Sequence, residues 1–141
     1  MKTYSTTTKI NASVDIIWTI LTNGSTYHDW NESVEKVEGI IALGERIKVY
    51  AKITPGQAFP VTVQEFLPSQ KMVWRGGMPF GLFKGVRTFT LTEASNGQVE
   101  FRMDEKFSGL MSPLIVRSMP DLTESFEQFA TSLKTKAESV A

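Results

Sequence analysis

Histidine and cysteine, the side chains most typical of metal binding and of general-base or thiol catalysis, are scarce in this sequence. His28 is the only histidine, it lies two residues before Trp30 in the segment YHDW, and the chain has no cysteine. A single histidine cannot supply the several nitrogen or sulfur ligands of a usual zinc site, so we predict no metal site. His28 could be a general base if it reached a substrate pocket. The other interpretation is structural, with His28 and Trp30 forming a corner of the fold.

A second group with chemical potential is formed by Arg87 and Glu105. In segments of alternating polarity, Arg87 shares a strand face with Phe89, and Glu105 shares one with Phe101 and Met103, so both charges are predicted to point inward. Unpaired inward charges cost several kcal/mol, so these two would pair, hold the polar end of a ligand, or reach water at the rim. A β-bulge near either strand end would turn them outward instead.

Other signatures of catalysis or cofactor binding are missing from the sequence. Asp104 and Glu105 are adjacent in one strand and face opposite ways, so they do not form a glycosidase carboxylate pair. Neither a dinucleotide-binding GxGxxG pattern nor a Walker A pattern occurs. No Ser/His/Asp arrangement has support beyond the presence of the residues. We therefore predict no cofactor.

The composition limits the class of protein. The 141 residues fit a single domain, residues 1–141, with enough chain to bury a sizeable core. Basic and acidic residues both number 15, and this even balance gives no electrostatic footprint for nucleic acid or anionic lipid. No signal peptide and no apolar run long enough for a membrane span is visible, and the lack of cysteine suits a reducing compartment. We expect a cytoplasmic protein.

The elements that must position these side chains follow from periodicity. YSTTTKI predicts a first strand, and NASVDIIWTILTNG predicts a helix with Ser13 as N-cap that ends at Asn23-Gly24. A second short helix is predicted over residues 25–29. Alternating segments then predict about six antiparallel strands, near residues 33–41, 45–54, 58–67, 70–78, 84–94 and 98–107.

The C-terminal segment predicts a long amphipathic helix that covers the buried face of this sheet. It starts at Ser112-Pro113, and Pro120 is expected to kink or break it. A coiled coil is the competing interpretation, but the run of heptads is short. One apolar stripe runs along the helix, formed by Ile115, Met119, Leu122, Phe126, Phe129, Leu133 and Val140.

This order of elements resembles the START-like, or birch-pollen-allergen-like, helix-grip superfamily (SRPBCC). INASVDIIWTIL resembles the family's opening, with Ile17-Trp18 in place of a Val-Trp-like pair, and YHDWNESV resembles the following corner. FSGLMSPLIVRSM and FEQFATSLKTKAE resemble the junction before the last helix and the end of that helix. The resemblance is closest to the polyketide cyclase/dehydrase-like branch. It implies an α+β helix-grip fold, in which a curved antiparallel sheet of about seven strands wraps around the C-terminal helix.

The resemblance also implies a cavity for an apolar ligand between sheet and helix. The loop RGGMPFGLFKG carries apolar residues among glycines, so it could be a mobile flap at the cavity mouth or a plug that fills the core. The residues predicted to bind the ligand are Val49, Val63, Trp74, Met78, Phe80, Phe83, Arg87, Phe89, Phe101, Met103, Glu105, Ile115, Met119 and Leu122.

Three functional hypotheses follow. The first is binding of a small, largely apolar molecule, lipid-like or polyketide-like. The second is a cyclase or dehydratase that uses the same cavity, with His28, Glu105 or Arg87 assisting proton transfer. The third is an interaction module, as in the chaperone-activating relatives of the superfamily. Nothing in the sequence favours a particular oligomeric state.

Overall fold

The computed structural model describes residues 2–141 as one antiparallel sheet with helices packed on one face. Two short helices follow the first strand, α1 (Val14–Thr22) and α2 (Tyr27–Trp30), and two follow the last strand, α3 (Ser112–Ser118) and α4 (Thr123–Val140). The strands are β1 (Lys2–Ile10), β2 (Val34–Glu38), β3 (Arg46–Ala51), β4 (Ala58–Leu67), β5 (Lys71–Met78), β6 (Phe83–Glu93) and β7 (Val99–Ser108).

The seven strands lie in the order β1-β7-β6-β5-β4-β3-β2, and all neighbours are antiparallel. The strands predicted from alternation are therefore confirmed, as is the helix-grip architecture. Glycines in the left-handed region close two of the turns, Gly56 with φ 79° and Gly97 with φ 83°. Register shifts at Val34/Lys36 and Val63/Glu65 mark the irregular places in β2 and β4, where bulges bend a sheet.

The start of α1 is as predicted, but its end is not. The Ser13 hydroxyl accepts the Ile16 N–H over 3.2 Å, which is the expected N-cap bond. Asn23 has φ −97° and Gly24 is not in the left-handed region, because the chain continues directly into a 3₁₀ turn at residues 24–26. Gly24 is instead required for close packing, since an added Cβ would lie 3.0 Å from Cγ1 of Val37.

The C-terminal helix is broken where Pro120 predicts it. Met119, which precedes the proline, is extended at φ −82° and ψ 151°, the conformation that proline imposes on its predecessor. The predicted Ser112 cap is wrong by one position, because Met111 is the N-cap residue and no side chain caps α3. Val140 does not belong to the buried stripe that the sequence predicts, because in the last turn of α4 it is 52% exposed.

The core lies between α4 and the sheet. The Phe129 ring is its centre, with the rings of Phe89, Phe101, Tyr27 and Trp30 all about 6 Å away between centroids. Aromatic pairs at such distances add stabilisation beyond the area they bury. Trp30 is therefore a structural residue at the corner between α2 and α4, as the sequence suggested.

Candidate ligand-binding site

A cavity of about 620 Å³ lies between the sheet and the break in the C-terminal helix. Ile115, Met119 and Leu122 border it from the helical side, and all three are half-buried. Because Pro120 interrupts the helix here, the apolar stripe that fills the space under α4 does not continue under α3 with the same packing. The cavity is the space that results.

Strands β3 to β7 form the opposite wall of the cavity. Val49, Trp74, Phe83 and Phe107 contribute apolar surface, and Phe83 stacks on Phe107 with ring centroids 5.7 Å apart. Gly85 of β6 lies at the same wall, where a Cβ on this residue would come within 3.2 Å of the Phe107 ring. The missing side chain at this position leaves space beside the ring.

One ion pair lies in this apolar wall. Arg87 and Glu105 are direct cross-strand partners, and Nε of Arg87 donates to Oε1 of Glu105 over 2.6 Å. Their side chains are 19% and 14% exposed, and both border the cavity. The guanidinium carbon of Arg87 also lies 4.9 Å from the centroid of Phe126, a cation–π distance. The predicted inward orientation is correct, and the two charges pair with each other.

Two buried serines add a second polar point to the cavity. Ser33, just before β2, and Ser125, in the first turn of α4, approach with their hydroxyl oxygens 2.7 Å apart. One hydrogen bond joins two hydroxyl groups, so one of the two protons is left without an acceptor among the described residues.

Trp74 and Thr54 border the cavity and carry polar atoms that lack partners. The indole N–H of Trp74 and the hydroxyl of Thr54 are buried and make no hydrogen bond within residues 2–141. The Trp74 ring packs edge to face on Phe89, with centroids 4.6 Å apart. Both polar atoms are enclosed by the surrounding residues of the cavity wall.

The open side of the cavity lies between α3 and the turn that joins β3 to β4. Ile53 and Phe59 flank that turn and are each 39% exposed, while Gln57 and Ser118 are also exposed. Together with Pro60, Gly77 and Pro120, these are the exposed residues of the cavity wall. A ligand would enter between this turn and α3.

The structure divides the predicted ligand-binding residues into three groups. The residues that border the cavity are Val49, Trp74, Phe83, Arg87, Glu105, Ile115, Met119 and Leu122. The residues that are fully packed in the core, away from the cavity, are Val63, Phe89, Phe101 and Met103. The residues that are exposed at the tip of the β5–β6 hairpin are Met78 and Phe80.

The last two groups are corrections with separate causes. Inward orientation identifies a wall residue of the sheet, but Phe89 and Phe101 pack against Phe129 of α4, and Val63 and Met103 are buried in the same core cluster. Phe80 is 95% exposed, so the hairpin tip is not a plug folded into the core.

His28 lies outside the site. Its Nε2 is 3.0 Å from Oδ1 of Asp29, and the side chains are 62% and 59% exposed. Because it does not border the cavity, His28 lacks the reach that a general base needs. Arg87 and Glu105 are the catalytic candidates that remain.

Tyr27, which precedes His28 in the sequence, is fully buried and does not border the cavity, so its phenol cannot reach a substrate there. The hydroxyl donates to the backbone carbonyl of Leu21. Burial raises the pKa of Tyr27 far above its ordinary value of 10.0, and the charge of Arg87 opposes this only in part. The phenol is therefore neutral and structural.

Sequence reasoning did not identify Ser33, Ser125, Thr54, Phe59 or Phe107 as wall residues. Phe107 had the signal that would have found it, since it shares the inward face of β7 with Glu105. The two serines had none, because only the fold brings positions 33 and 125 together.

The sequence matches a family whose description fits a cavity between a sheet and a helix. The family described as polyketide cyclase / dehydrase and lipid transport matches residues 1–138. The chain belongs to this family. No functionally curated protein matches it significantly. Within residues 2–141, no helix combines the length and the apolar character that a membrane crossing requires.

Solved structures share the fold of this family member at low sequence identity. A hypothetical protein of Helicobacter pylori is 14% identical with a TM-score of 0.78, covering 96% of this chain and 88% of that one. A START superfamily protein of Mycobacterium smegmatis is 16% identical with a TM-score of 0.70, covering 99% of both chains. The di-domain ARO/CYC BexL from the BE-7585A biosynthetic pathway is 13% identical with a TM-score of 0.73, covering 99% of this chain and 47% of BexL.

Proposed function

We propose that the protein binds a small, largely apolar molecule, lipid-like or polyketide-like, in the cavity between the sheet and the helical break. The observation that carries the proposal is the Arg87–Glu105 ion pair in the wall of an otherwise apolar chamber. Ligand sites typically measure about 300–1,000 Å³ and combine apolar walls with a few polar groups. The cavity, at about 620 Å³, lies within that range.

The ion pair defines where the polar end of the ligand would bind. Among the described residues, Arg87 makes one side-chain hydrogen bond, through Nε, so its terminal amino groups have no protein acceptor. A guanidinium group has five N–H donors in a fixed plane. A carboxylate, carbonyl or hydroxyl oxygen of the ligand would accept from the terminal groups, while its apolar body contacts Trp74, Phe83 and Ile115.

A second candidate function is proton transfer on a bound substrate, as in a cyclase or dehydratase. Oε1 of Glu105 binds Arg87, but Oε2 has no hydrogen bond among the described residues and lies beside Gly85, 3.5 Å from where its Cβ would be. A free carboxylate oxygen at a cavity wall can accept a proton from a substrate. The family description includes cyclases and dehydrases. Conversion of a bound compound, followed by mass spectrometry, separates this function from binding alone.

The interaction-module hypothesis loses its main support. A module that acts through its surface alone would be expected to have Arg87 and Glu105 in solvent and the space between sheet and helix filled by side chains. The ion pair instead borders an open cavity.

The test has two parts. Native mass spectrometry of freshly purified protein should reveal a co-purifying adduct of lipid or polyketide mass. A thermal-shift panel of fatty acids, sterols, flavonoids and aromatic polyketides should then raise the melting temperature where a compound fits. Saturation to a hundred times Kd contributes about 2.7 kcal/mol to the stability of the folded state.

Paired variants show whether the cavity is responsible. Arg87→Leu should abolish the shift caused by acidic ligands and keep the shift caused by neutral apolar ones. Arg75→Leu is the matched control, because Arg75 is an exposed arginine on the adjacent strand, next to Trp74. If no adduct and no shift occur, or if Arg75→Leu has the same effect as Arg87→Leu, the proposal is wrong.

A further inference from the structure

The end of the molecule that contains the cavity mouth also carries a cluster of exposed apolar side chains. We call Met78, Phe80, Leu110 and Leu114 the apolar tip. Phe80 is 95% exposed, Leu110 83%, Leu114 61% and Met78 44%. We propose that the apolar tip inserts into the surface of an anionic lipid bilayer, where the cavity exchanges its ligand.

The apolar tip is one surface although it comes from two segments. The Leu110 N–H donates to the Gly81 carbonyl over 3.1 Å, and the Met111 N–H donates to the Leu82 carbonyl over 2.7 Å. These bonds fasten the β5–β6 hairpin to the junction between β7 and α3. Leu114 follows in the first turn of α3, so the exposed side chains lie together on a backbone-bonded platform.

The backbone conformation of Phe80 is one that a bulky residue adopts at a cost. Its φ is 61°, in the left-handed region that glycine and asparagine adopt readily and a bulky residue adopts at a cost. Burial does not compensate for the strain, because the side chain is almost fully exposed. A strained, exposed phenylalanine at a hairpin tip is typical of a residue that is retained for contact with another surface.

The charges around the apolar tip match an anionic surface. The β3–β4 turn (residues 52–57), the hairpin tip (residues 78–84) and the junction over residues 108–120 lie at this end of the molecule and contain no Asp or Glu, and Asp121 follows directly. Lys52 lies at the β3–β4 turn, Lys84 next to the hairpin, and Arg117 on α3 beyond Leu114; all three are exposed. Each basic residue near an anionic membrane strengthens binding about fivefold. The zero net charge of the whole chain conceals this local excess.

The position of the cavity favours a bilayer over a protein partner. Ile115 of α3 and Met119, which follows the helix, border the cavity, while Leu114 of α3 is exposed. A molecule leaving the bilayer beside Leu114 would reach the mouth with little exposure to water. The role in ligand exchange rests on the proposed function, whereas binding to vesicles does not.

The experiment is co-sedimentation with vesicles of phosphatidylcholine and phosphatidylglycerol, compared with vesicles of phosphatidylcholine alone. The parent protein should sediment with the mixed vesicles and less with the neutral ones, and added salt should release it. Phe80→Asn combined with Leu110→Ser should lower the partition coefficient at least tenfold, given the transfer free energy of two apolar side chains of about this size. Lys84→Glu should lower it about fivefold or more.

Ile40→Ser is the matched control, since Ile40 is 75% exposed in the β2–β3 connection, at the other end of β3 from the mouth. It should bind vesicles like the parent. Asparagine suits the backbone at position 80, so loss of folding does not explain a loss of binding there. Equal binding by the parent and the tip variant would overturn the proposal. A concentration-dependent dimer that the tip variant abolishes, without vesicle binding, would also overturn it.

Discussion

Arg87 of β6 and Glu105 of β7 stand directly opposite each other in the sheet and form an ion pair of 2.6 Å at the wall of the cavity. Each charge offsets the desolvation cost of the other, so the free protein can bury both without a ligand. Each also keeps atoms without a hydrogen bond to any described residue, namely the terminal amino groups of Arg87 and Oε2 of Glu105. The pair can therefore be part of the fold in the free protein and part of the site in the bound one.

Glu105→Gln tests the structural part of this pair. The change leaves the guanidinium of Arg87 without its counter-charge in a wall where it is 19% exposed. We expect a loss of about 2 kcal/mol in the free energy of unfolding, the scale of a hydrogen bond between charged groups. Urea denaturation measures it. Glu100→Gln, at an exposed position of the same strand, should change stability by less than about 0.5 kcal/mol. Equal effects of the two variants would contradict the assigned role.

Phe129→Ala tests the centre of the core. The ring has four aromatic neighbours and is fully buried, so its removal should cost about 3–5 kcal/mol. Phe126→Ala should cost less, because one face of this ring packs on Arg87, which borders the cavity, and the space left could join the cavity. Denaturation of both variants in urea gives the ranking. The reverse order would mean that the cavity is collapsed in solution.

Glu138 predicts a pH dependence. Its carboxylate accepts hydrogen bonds from the Asn11 N–H and from Nζ of Lys134, each at 2.9 Å. These bonds, above all the one from Asn11, hold the pKa of Glu138 below its ordinary value of 4.5. The folded state thus binds this proton more weakly than the unfolded state. The stabilisation is complete well above pH 4.5 and disappears as the pH falls through the lower folded value.

The measurement compares the parent with Glu138→Gln by denaturation at neutral and at acidic pH. The parent should be the more stable protein at neutral pH, and the difference should shrink in acid. A difference that stays constant, or that grows in acid, would show that these bonds to the start of α1 do not form.

His28→Ala tests the catalytic candidate that the structure places outside the cavity. The side chain is mostly exposed and pairs with Asp29, so we expect ligand binding, or any turnover, to stay within a few-fold of the parent. Titration of a ligand from the thermal-shift panel provides the readout. A loss beyond about a hundredfold in turnover, with folding intact, is the scale of a lost general base and would restore His28 as a candidate.

The sequence predicts the sheet well because two independent signals agree on it. Alternation places Ile47 and Val49 inward on β3, and turn residues such as Gly56 mark where the strand direction reverses. The same alternation places Arg87 and Glu105 inward. Each of these conclusions depends on local patterns alone.

The extent of the cavity could not be predicted in this way. Alternation assigns Phe89 and Arg87 to the same face, but only the position of α4 makes the first a core residue and the second a cavity residue. Alternation also fails beyond Gly77, because the chain reverses at the hairpin and Phe80 takes a positive φ. Ser33 and Ser125 meet through tertiary packing, which no sequence period encodes.

The pairing of β1 with β7 governs how the chain can fold. Ser5 bonds to Asp104, 99 positions later, and Asn11 bonds to Glu138, 127 positions later. Hairpins from β2 to β7 can form early from neighbouring segments, but their inner face has no cover until α4 has been synthesised. Contacts between such distant segments make folding slow, and they expose apolar strands in the meantime. A chain that loses the last turns of α4 should therefore aggregate during synthesis. It should not accumulate as a folded sheet that lacks only its covering helix.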